Sequence, residues 1–284
     1  MPTIRLGLIG DDIAASRSPA LHRLAGRICG LDVRYDLLVP RELKLDFNSV
    51  FDRARSDGYR GLNITYPYKE RVLARIKIND PIARSIAACN TILFEGDDAI
   101  GTNTDYVGFL GACRAAFGRS APGRVALAGC GGVGKAIAFA LAELGAEAVQ
   151  LFDPAPSKAE ELARALAIAH PALQVQVANT IAQACEGAGG LVNCTPLGMV
   201  GHPGNAFTGA AIGGARWAFD AVYTPMETPF LLAARDAGLA ILSGYELLLH
   251  QGVACFRIFT GREVSVAELR RGLATVDSEL PQGS

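Results

Sequence analysis

Short apolar runs alternate with amphipathic stretches along the N-terminal third of the chain. An apolar run of about four to eight residues is typical of a buried strand, whereas apolar residues at every third and fourth position indicate a helix. Strands that alternate with helices predict an α/β layer with a largely parallel sheet. The strands are expected at Ile4–Ile9, Val33–Val39, Gly61–Ile64 and Thr91–Phe94, and the helices at Pro19–Cys29, Phe47–Ser56, Tyr68–Ile76 and Pro81–Ala87.

A second α/β series follows a helix expected over Asp105–Phe117 and a linker of small residues, Gly118–Gly123. The length of 284 residues also favours a division into about two domains. The last two helices come after the final strand of this second series. Strands are expected at Arg124–Ala128, Ala148–Phe152, Leu173–Val177, Leu191–Asn193 and Trp217–Asp220, and helices at Val133–Leu144, Ser157–Ile168, Glu246–Thr260 and Ser265–Val276.

The composition limits the class of partner. Lys and Arg together number 27, Asp and Glu number 28, and the net charge is -1. Such a balance gives no bulk attraction to nucleic acid or to an anionic membrane. No stretch approaches the roughly 18 apolar residues of a membrane span, and the N-terminus lacks the features of a signal peptide. We therefore expect a small-molecule partner, no nucleic acid and no membrane.

The cysteines and histidines predict no metal site. Seven Cys are scattered without a Cys-x-x-Cys pair, and the four His form no ligand spacing. Unpaired cysteines in this pattern are typical of reduced thiols in a cytosolic protein. We expect a cytoplasmic protein that is a monomer or a homodimer.

A glycine-rich loop predicts a dinucleotide site. The segment from Gly129 to Gly134 reads Gly-x-Gly-x-x-Gly between an expected strand and an Ala-rich expected helix, which is the context that this motif requires. The first glycine allows the turn, the second allows close approach of a pyrophosphate, and the third allows the helix to pack against the strand. A phosphate-cradling loop for nucleotide hydrolysis is rejected because Ala136 follows Lys135 where a hydroxyl should bind magnesium. The loop residues expected to bind the cofactor are Gly129, Gly131, Gly132, Val133 and Gly134.

Asp153 ends the next expected strand and indicates which dinucleotide is used. A carboxylate at this place can accept hydrogen bonds from the adenosine ribose and would repel a 2′-phosphate. The segment Phe152–Lys158 contains no Arg. The sequence therefore favours NAD, with NADP as the alternative.

Small polar residues concentrate in four fragments of the N-terminal part of the chain: Ser16–Pro19, Asn63–Lys69, Asn90-Thr91 and Gly101–Asp105. Each fragment alone could be a cap or a turn, and Ser18 before Pro19 is expected to cap the first helix. Together their hydroxyls, amides, Lys and Asp suit a polyhydroxylated anionic molecule.

Six motifs occur in order along the chain. They are Ser-x-Ser-Pro-x-x-His from Ser16, Asn-Ile-Thr-x-Pro-x-Lys from Asn63, Gly-x-Asn-Thr-Asp-x-x-Gly from Gly101, Asn-Cys-Thr-Pro-x-Gly-Met from Asn193, Asp-x-x-Tyr-x-Pro-x-x-Thr-Pro from Asp220, and the stretch Gly244–Gln251. With these motifs the chain resembles the shikimate/quinate dehydrogenase family over residues 3–275. Where many members carry Asn-Arg-Thr after the second strand of the nucleotide domain, this chain carries Phe152-Asp153-Pro154, which resembles the branch that uses NAD.

The resemblance implies a substrate domain over residues 1–105, completed by helices in 245–284, and a Rossmann-type domain over 106–244, with the active site in the cleft between them. It implies that Lys69 and Asp105 form the catalytic pair and also contact the substrate. The other implied roles are substrate carboxylate binding for Ser16 and Ser18, ring hydroxyl binding for Asn63, Thr65, Asn90 and Gln251, a substrate contact for Tyr223, and a border of the nicotinamide for Thr195, Pro196, Met199, Val222 and Gly244.

Lysine is scarce in this chain, with 5 Lys beside 22 Arg. An amine can release and accept a proton, which an arginine guanidinium cannot do. This chemistry fits the proton transfer that the resemblance implies for Lys69, whereas Lys44, Lys77, Lys135 and Lys158 have ordinary solvent or loop interpretations.

Three hypotheses remain open from the sequence. The first is an NAD-dependent shikimate dehydrogenase. The second keeps the chemistry but takes quinate or an aminated analogue. The third is a non-catalytic sensor of a dinucleotide or metabolite, which has no need for both Lys69 and Asp105.

Overall fold

The computed structural model describes residues 2–279. The fold divides into two compact units: one contains the chain up to Thr104 and from Leu248 onward, and the other contains Asp105–Leu247. Met1 and residues 280–284, which the predicted domain boundaries include, lie outside the described residues.

The first unit contains a five-stranded mixed sheet in the order β2-β1-β3-β4-β5. The pairs of β1 with β2 and with β3 are parallel. The pairs of β3 with β4 and of β4 with β5 are antiparallel, so the predicted largely parallel sheet is wrong for this half. Its elements are β1 (Ile4–Ile9), α1 (Ser18–Ile28), β2 (Val33–Leu38), α2 (Pro40–Leu43), α3 (Phe47–Ser56), β3 (Gly61–Ile64), a 3₁₀ turn (Arg71–Arg75), α4 (Pro81–Ile86), β4 (Thr91–Glu95) and β5 (Asp98–Thr102), followed late in the chain by α11 (Gly244–Thr260) and α12 (Val266–Glu279).

Apolar side chains cover both faces of this sheet. Successive residues of a strand point to opposite faces, and β1 accordingly places Ile9 in a cluster with Phe47 and Phe51 of α3. Leu6 and Leu8 belong to a second cluster. Tyr35, Cys255 and Phe259 complete this second cluster, so α11 packs against the sheet of the first unit.

The second unit contains a six-stranded sheet in the order β11-β10-β9-β6-β7-β8, and every pair in it is parallel. This order is that of a doubly wound dinucleotide-binding fold, in which ligands bind at the carboxyl ends of the strands where the order reverses. Here the reversal lies between β6 and β9. The elements are α5 (Thr104–Phe117), β6 (Arg124–Ala128), α6 (Gly132–Glu143), β7 (Ala148–Phe152), α7 (Pro156–Ala169), β8 (Gln174–Val177), α8 (Ile181–Cys185), β9 (Gly190–Asn193), α9 (Ala210–Gly213), β10 (Trp217–Asp220), α10 (Pro229–Asp236) and β11 (Ala240–Ser243).

Several elements differ from the sequence prediction. The prediction lacks β5, β11 and α10 as well as the short helices α2, α8 and α9, and the helix expected over Tyr68–Ile76 is a 3₁₀ turn over Arg71–Arg75. Among residues 2–279, no helix combines the length and the apolar character that crossing a membrane requires.

Candidate active site

Four polar side chains of the first unit form one buried hydrogen-bonded group, the amide-hydroxyl cluster: Asn63, Asn90, Thr91 and Thr104, each at most 6% exposed. The Asn90 Oδ1 atom accepts from the Thr104 backbone N at 2.7 Å, from the Thr104 hydroxyl at 3.0 Å and from the Thr91 hydroxyl at 3.1 Å. The Asn63 amide donates to the Asn90 carbonyl at 3.1 Å and to the Thr91 hydroxyl at 3.2 Å. The cluster thus contains two of the predicted ring-hydroxyl ligands, Asn63 and Asn90.

Tyr35 supports the cluster from β2. Its hydroxyl donates to Asn63 Oδ1 at 2.9 Å. Its ring stacks on the imidazole of His22, with centroids 4.9 Å apart and planes at 13°. Burial lowers the pKa of His22 to about 3, so this motif histidine is a neutral packing partner near pH 7.

One buried segment, residues 88–90, is hydrogen-bonded to the backbone of Lys69 and to the two residues that precede Asp105. The Cys89 N–H donates to the Lys69 carbonyl at 2.8 Å. The Asn103 side chain donates to the Ala88 carbonyl at 2.8 Å, and Thr104, which immediately precedes Asp105, is bound to Asn90. Lys69 is 9% exposed and Asp105 is 6% exposed.

The remaining predicted substrate ligands lie at the start of α1, after β3 and on α11. The Ser16 hydroxyl accepts from the Ser18 N–H at 3.3 Å. Thr65 donates its N–H to the Ile9 carbonyl at 2.9 Å, and Gln251 Oε1 lies 3.4 Å from the Thr104 hydroxyl. The structure therefore joins Gln251 to the amide-hydroxyl cluster and joins Ser16 to Ser18.

The predicted cap at Ser18 is wrong. Helix α1 begins at Ser18 itself, and its N-cap Arg17 makes no side-chain capping bond. Since Ser18 is the first helical residue, its side chain is one position too late to cap, and Ser16 binds its N–H instead.

The glycine loop joins β6 to α6 in the second unit, as its motif predicts. Gly129 has a φ of +92°, and a Cβ there would lie 2.7 Å from the Cys194 carbonyl carbon. A Cβ on Gly134 would lie 1.9 Å from the Gly129 carbonyl oxygen. Packing within the chain therefore requires glycine at both positions.

Gly131 differs from its neighbours in the loop. A Cβ at this position would have no atom within 4 Å. Because packing within the described residues does not require this glycine, the space beside it fits the close approach of a pyrophosphate. Gly131 is also the N-cap of α6, and Gly132 and Val133 are its first residues, so their N–H groups suit an anion.

Asp153 lies just after β7 and next to this loop. One carboxylate oxygen accepts from the Cys130 N–H and the other from the Ala155 N–H, both at 2.8 Å. A carboxylate has about four acceptor positions, so the fixed side chain retains capacity for the hydroxyls of a ribose.

The prediction that Lys135 has an ordinary solvent or loop position is wrong. Lys135 is 4% exposed, and its Nζ lies 2.8 Å from Glu161 Oε1. The ion pair lowers the pKa of Glu161. Lys135 therefore joins α6 to α7, which is a contact between helices that spacing along the chain does not show.

A network around Asp220 connects the segments that follow β9 and β10. Asp220 is fully buried, and its carboxylate accepts from Asn193 Nδ2 at 2.9 Å, from the Val222 N–H at 3.0 Å and from the Thr228 hydroxyl at 2.6 Å. Asn193 Oδ1 in turn accepts from the Thr195 N–H at 3.0 Å and from its hydroxyl at 2.6 Å. The two segments that carry the predicted nicotinamide residues are thereby held together.

The other predicted residues of this region lie on the same two segments or next to them. Pro196 accepts at its carbonyl from the Met199 N–H at 3.0 Å. Tyr223 lies between β10 and α10. Gly244 begins α11, where a Cβ would lie 2.4 Å from the Ala221 carbonyl oxygen. Among the described residues, His, Cys, Asp and Glu form no group of three or more that could hold a metal ion.

Known proteins are similar in sequence to this chain over nearly its whole length. Residues 8–92 match the family described as the shikimate dehydrogenase substrate binding domain. A quinate/shikimate dehydrogenase (NAD(+)) of Corynebacterium efficiens is 38% identical over 274 residues, which cover 94% of this chain and 96% of that protein. The chain belongs to the shikimate/quinate dehydrogenase family. A shikimate dehydrogenase (NADP(+)) of Streptomyces avermitilis is 39% identical over 275 residues, or 91% of this chain and 90% of that protein.

The solved structures agree with this membership. Quinate dehydrogenase from Corynebacterium glutamicum in complex with NAD has a TM-score of 0.85 and 34% identity, over 96% of this chain and 99% of that chain. Membership of the shikimate/quinate dehydrogenase family confirms the predicted fold class, an α/β substrate domain with a Rossmann-type domain. It also confirms an oxidoreductase that uses a nicotinamide cofactor. The roles of individual site residues stay predictions.

The sequence interpretation missed residues that hold the site residues in place. Thr91, Thr104, Asn193, Asp220 and Thr228 lie inside the quoted motifs or fragments, so their residue types were a usable signal. Tyr35 and Cys255 lie outside them, and only their contacts reveal them.

Proposed function

We propose that this protein is an NAD-dependent dehydrogenase that interconverts shikimate and 3-dehydroshikimate. The observation that supports it most directly is the anchoring of Lys69 and Thr104 to the same buried segment, residues 88–90. Asp105 follows Thr104 in the chain, so this segment holds the backbone of Lys69 and of the residue next to Asp105.

In the oxidation, Lys69 acts as the base. The neutral amine takes the proton of the ring hydroxyl and becomes an ammonium, while the C–O bond becomes a carbonyl. NAD, when bound, accepts the hydride from the same carbon. Asp105 orients the amine toward the substrate oxygen, and in the reduction the Lys69 ammonium returns the proton to the carbonyl oxygen.

The substrate is held by neutral polar side chains of two kinds, hydroxyls and amides. Ser16 and Ser18 bind the carboxylate, and Asn63, Thr65, Asn90 and Gln251 bind the ring hydroxyls. Three donors converge on Asn90 Oδ1, which turns its Nδ2 away from them. The Asn90 amide is therefore presented as a donor to a substrate oxygen.

The cofactor is bound by the second unit. The loop residues Gly129, Gly131, Gly132, Val133 and Gly134 bind the pyrophosphate, and Asp153 binds the adenosine ribose. Thr195, Pro196, Met199, Val222 and Gly244 border the nicotinamide, and Tyr223 contacts the substrate. The carboxylate of Asp153 supports NAD over NADP, and a 2′-phosphate would be repelled by it.

Quinate is the second candidate substrate. It is favoured by the names of similar proteins, since the relative from Corynebacterium efficiens is a quinate/shikimate dehydrogenase (NAD(+)) and the solved neighbour is a quinate dehydrogenase. Quinate carries an added hydroxyl near the carboxylate, so the surroundings of Ser16 and Ser18 decide between the two acids.

A matrix of initial rates tests the proposal: shikimate and quinate, each with NAD and with NADP. We expect at least one of the two acids to reduce NAD. The kcat/KM with NADP should be at least about tenfold lower than that with NAD. A preference for NADP would overturn the role of Asp153. An absence of reduction in all four arms would overturn the dehydrogenase and favour the sensor hypothesis.

We also propose that the enzyme works in the cytoplasm, which the scattered cysteines without a Cys-x-x-Cys pair support, and that it is a monomer or a homodimer. All seven cysteines lie in the part of the chain that the structure describes, and none of them forms a disulfide bond there. Sedimentation equilibrium would give the chain mass of 29.8 kDa or twice that value, and a larger mass would contradict the second proposal.

A further inference from the structure

Cys255 lies one helical turn after Gln251 on α11 and is fully buried. Its thiol is surrounded by polar atoms that belong to the amide-hydroxyl cluster and to Gln251. The distances from Sγ are 3.1 Å to Asn63 Nδ2, 3.1 Å to the Thr91 hydroxyl, 3.0 Å to the Thr104 hydroxyl and 3.3 Å to Gln251 Oε1.

The neighbouring amides determine the direction of two of these bonds. Asn63 Nδ2 faces the Asn90 carbonyl, which can only accept, so this atom is the amide nitrogen. Its second N–H is shared between the Thr91 hydroxyl and the thiol sulfur. Gln251 Nε2 likewise faces the Leu248 carbonyl at 3.3 Å, so the atom facing Cys255 is the amide oxygen. The thiol therefore donates its one hydrogen to Gln251 and accepts from Asn63.

We propose that Cys255 is a positioning residue that fixes the orientation of the amides of Asn63 and Gln251. This inference rests on the proposed function, which assigns both amides to the ring hydroxyls. With Oε1 held by the Cys255 thiol, Gln251 presents Nε2, a donor, to the substrate. Together with the Leu248 carbonyl, Cys255 thereby holds the amide so that a hydroxyl oxygen is recognised at this place by a donor.

The test compares Cys255→Ala and Cys255→Val, which remove the polar group with a smaller and a larger side chain, with Cys255→Ser, which keeps a donor and an acceptor. Losing one net hydrogen bond corresponds to about a three- to tenfold change in affinity. We expect both apolar variants to raise the KM for the acid by about this factor and to leave the KM for NAD unchanged. Cys255→Ser should remain within about twofold of the wild type.

Two further measurements separate positioning from a general loss of stability. Cys113→Ala, a matched change of another buried helical cysteine, should leave the KM for the acid unchanged. In a Gln251→Ala background, Cys255→Ala should add little to the KM, because residues that act through one another are not additive.

An unchanged KM for the acid in the apolar variants would overturn the proposal, as would a parallel rise in the KM for NAD. Cys255→Ser as impaired as Cys255→Ala, or full additivity with Gln251→Ala, would also overturn it. The activity of the wild type in the same assay distinguishes a failure of the proposed function from a failure of the role of Cys255. An inactive wild type would contradict the proposed function, whereas an active wild type with unaffected Cys255 variants would contradict only the role of Cys255.

Discussion

Asp220 is a fully buried carboxylate at the end of β10. Burial raises its pKa to about 6, while hydrogen bonds from Thr228, Val222 and Asn193 oppose the rise. The ionised form therefore costs stability, and the three donors reduce that cost. A carboxylate kept at this place holds together the two segments that carry the predicted nicotinamide residues.

This pKa makes the stability contribution of Asp220 depend on pH in a known direction. A folded pKa above the unfolded value of 3.8 means that the folded state binds the proton more tightly. The contribution is thus fully favourable below pH 4 and is lost as the pH rises through about 6. The quantity to compare is the free energy of unfolding of the wild type minus that of the Asp220→Asn variant. We expect this difference to be about 1 kcal/mol more favourable to the wild type at pH 5 than at pH 7.

Urea unfolding of both proteins at the two pH values measures this gap. Asp236→Asn, a change of an exposed carboxylate at the end of α10, serves as the control and should show no such shift. A gap between wild type and Asp220→Asn that is the same at pH 7 and pH 5 would contradict the assignment.

At the scale of elements, the turn from β6 into α6 separates two uses of glycine. Gly134 is required by packing, since a Cβ would lie 1.9 Å from the Gly129 carbonyl oxygen. Gly131 has open space around it within the described part of the chain, so its small size is available for a ligand.

The two glycines should therefore respond differently to alanine. Gly134→Ala should lower the free energy of unfolding by about 1–3 kcal/mol because the helix and the loop must move apart. Gly131→Ala should leave the melting temperature within about 2 °C and weaken NAD binding about tenfold or more, because a methyl group occupies the path of the pyrophosphate. Thermal melts and NAD titrations measure both effects, and unaltered NAD binding by Gly131→Ala would disprove this use of the loop.

Several elements could be predicted from the sequence to the residue, including β1, β3, α3, β6 and β7. Their apolar runs are buried and bounded by turn residues, so the pattern along the chain contains the information. The hairpin of β4 and β5 is different, because β5 reads Asp-Ala-Ile-Gly-Thr and its identity depends on pairing with β4. The edge strand β11 likewise lacks a buried apolar run that would predict it, since Leu242 is its one buried residue.

At the scale of the whole molecule, the residue types of the site could be predicted, but their mutual support could not. The motifs identify Asn63, Asn90 and Gln251, which are 27 to 188 positions apart. Cys255 and Tyr35 contact Asn63 only after the chain folds, and no periodicity along the sequence records such contacts. The motif from Asn63 to Lys69 distinguishes Lys69 from the other four lysines, and its part in proton transfer stays a prediction.

The central claim is that Lys69 transfers the proton of the ring hydroxyl, and steady-state turnover of the Lys69→Ala variant tests it most directly. The matched control is Lys77→Ala, since Lys77 is an exposed lysine of the same unit whose Nζ lies 2.7 Å from Asp98. We expect Lys69→Ala to lower kcat by about 10²–10⁴-fold, with the KM for NAD unchanged and Lys77→Ala equal to wild type. A Lys69→Ala variant whose kcat stays within about threefold of the wild type would contradict the account.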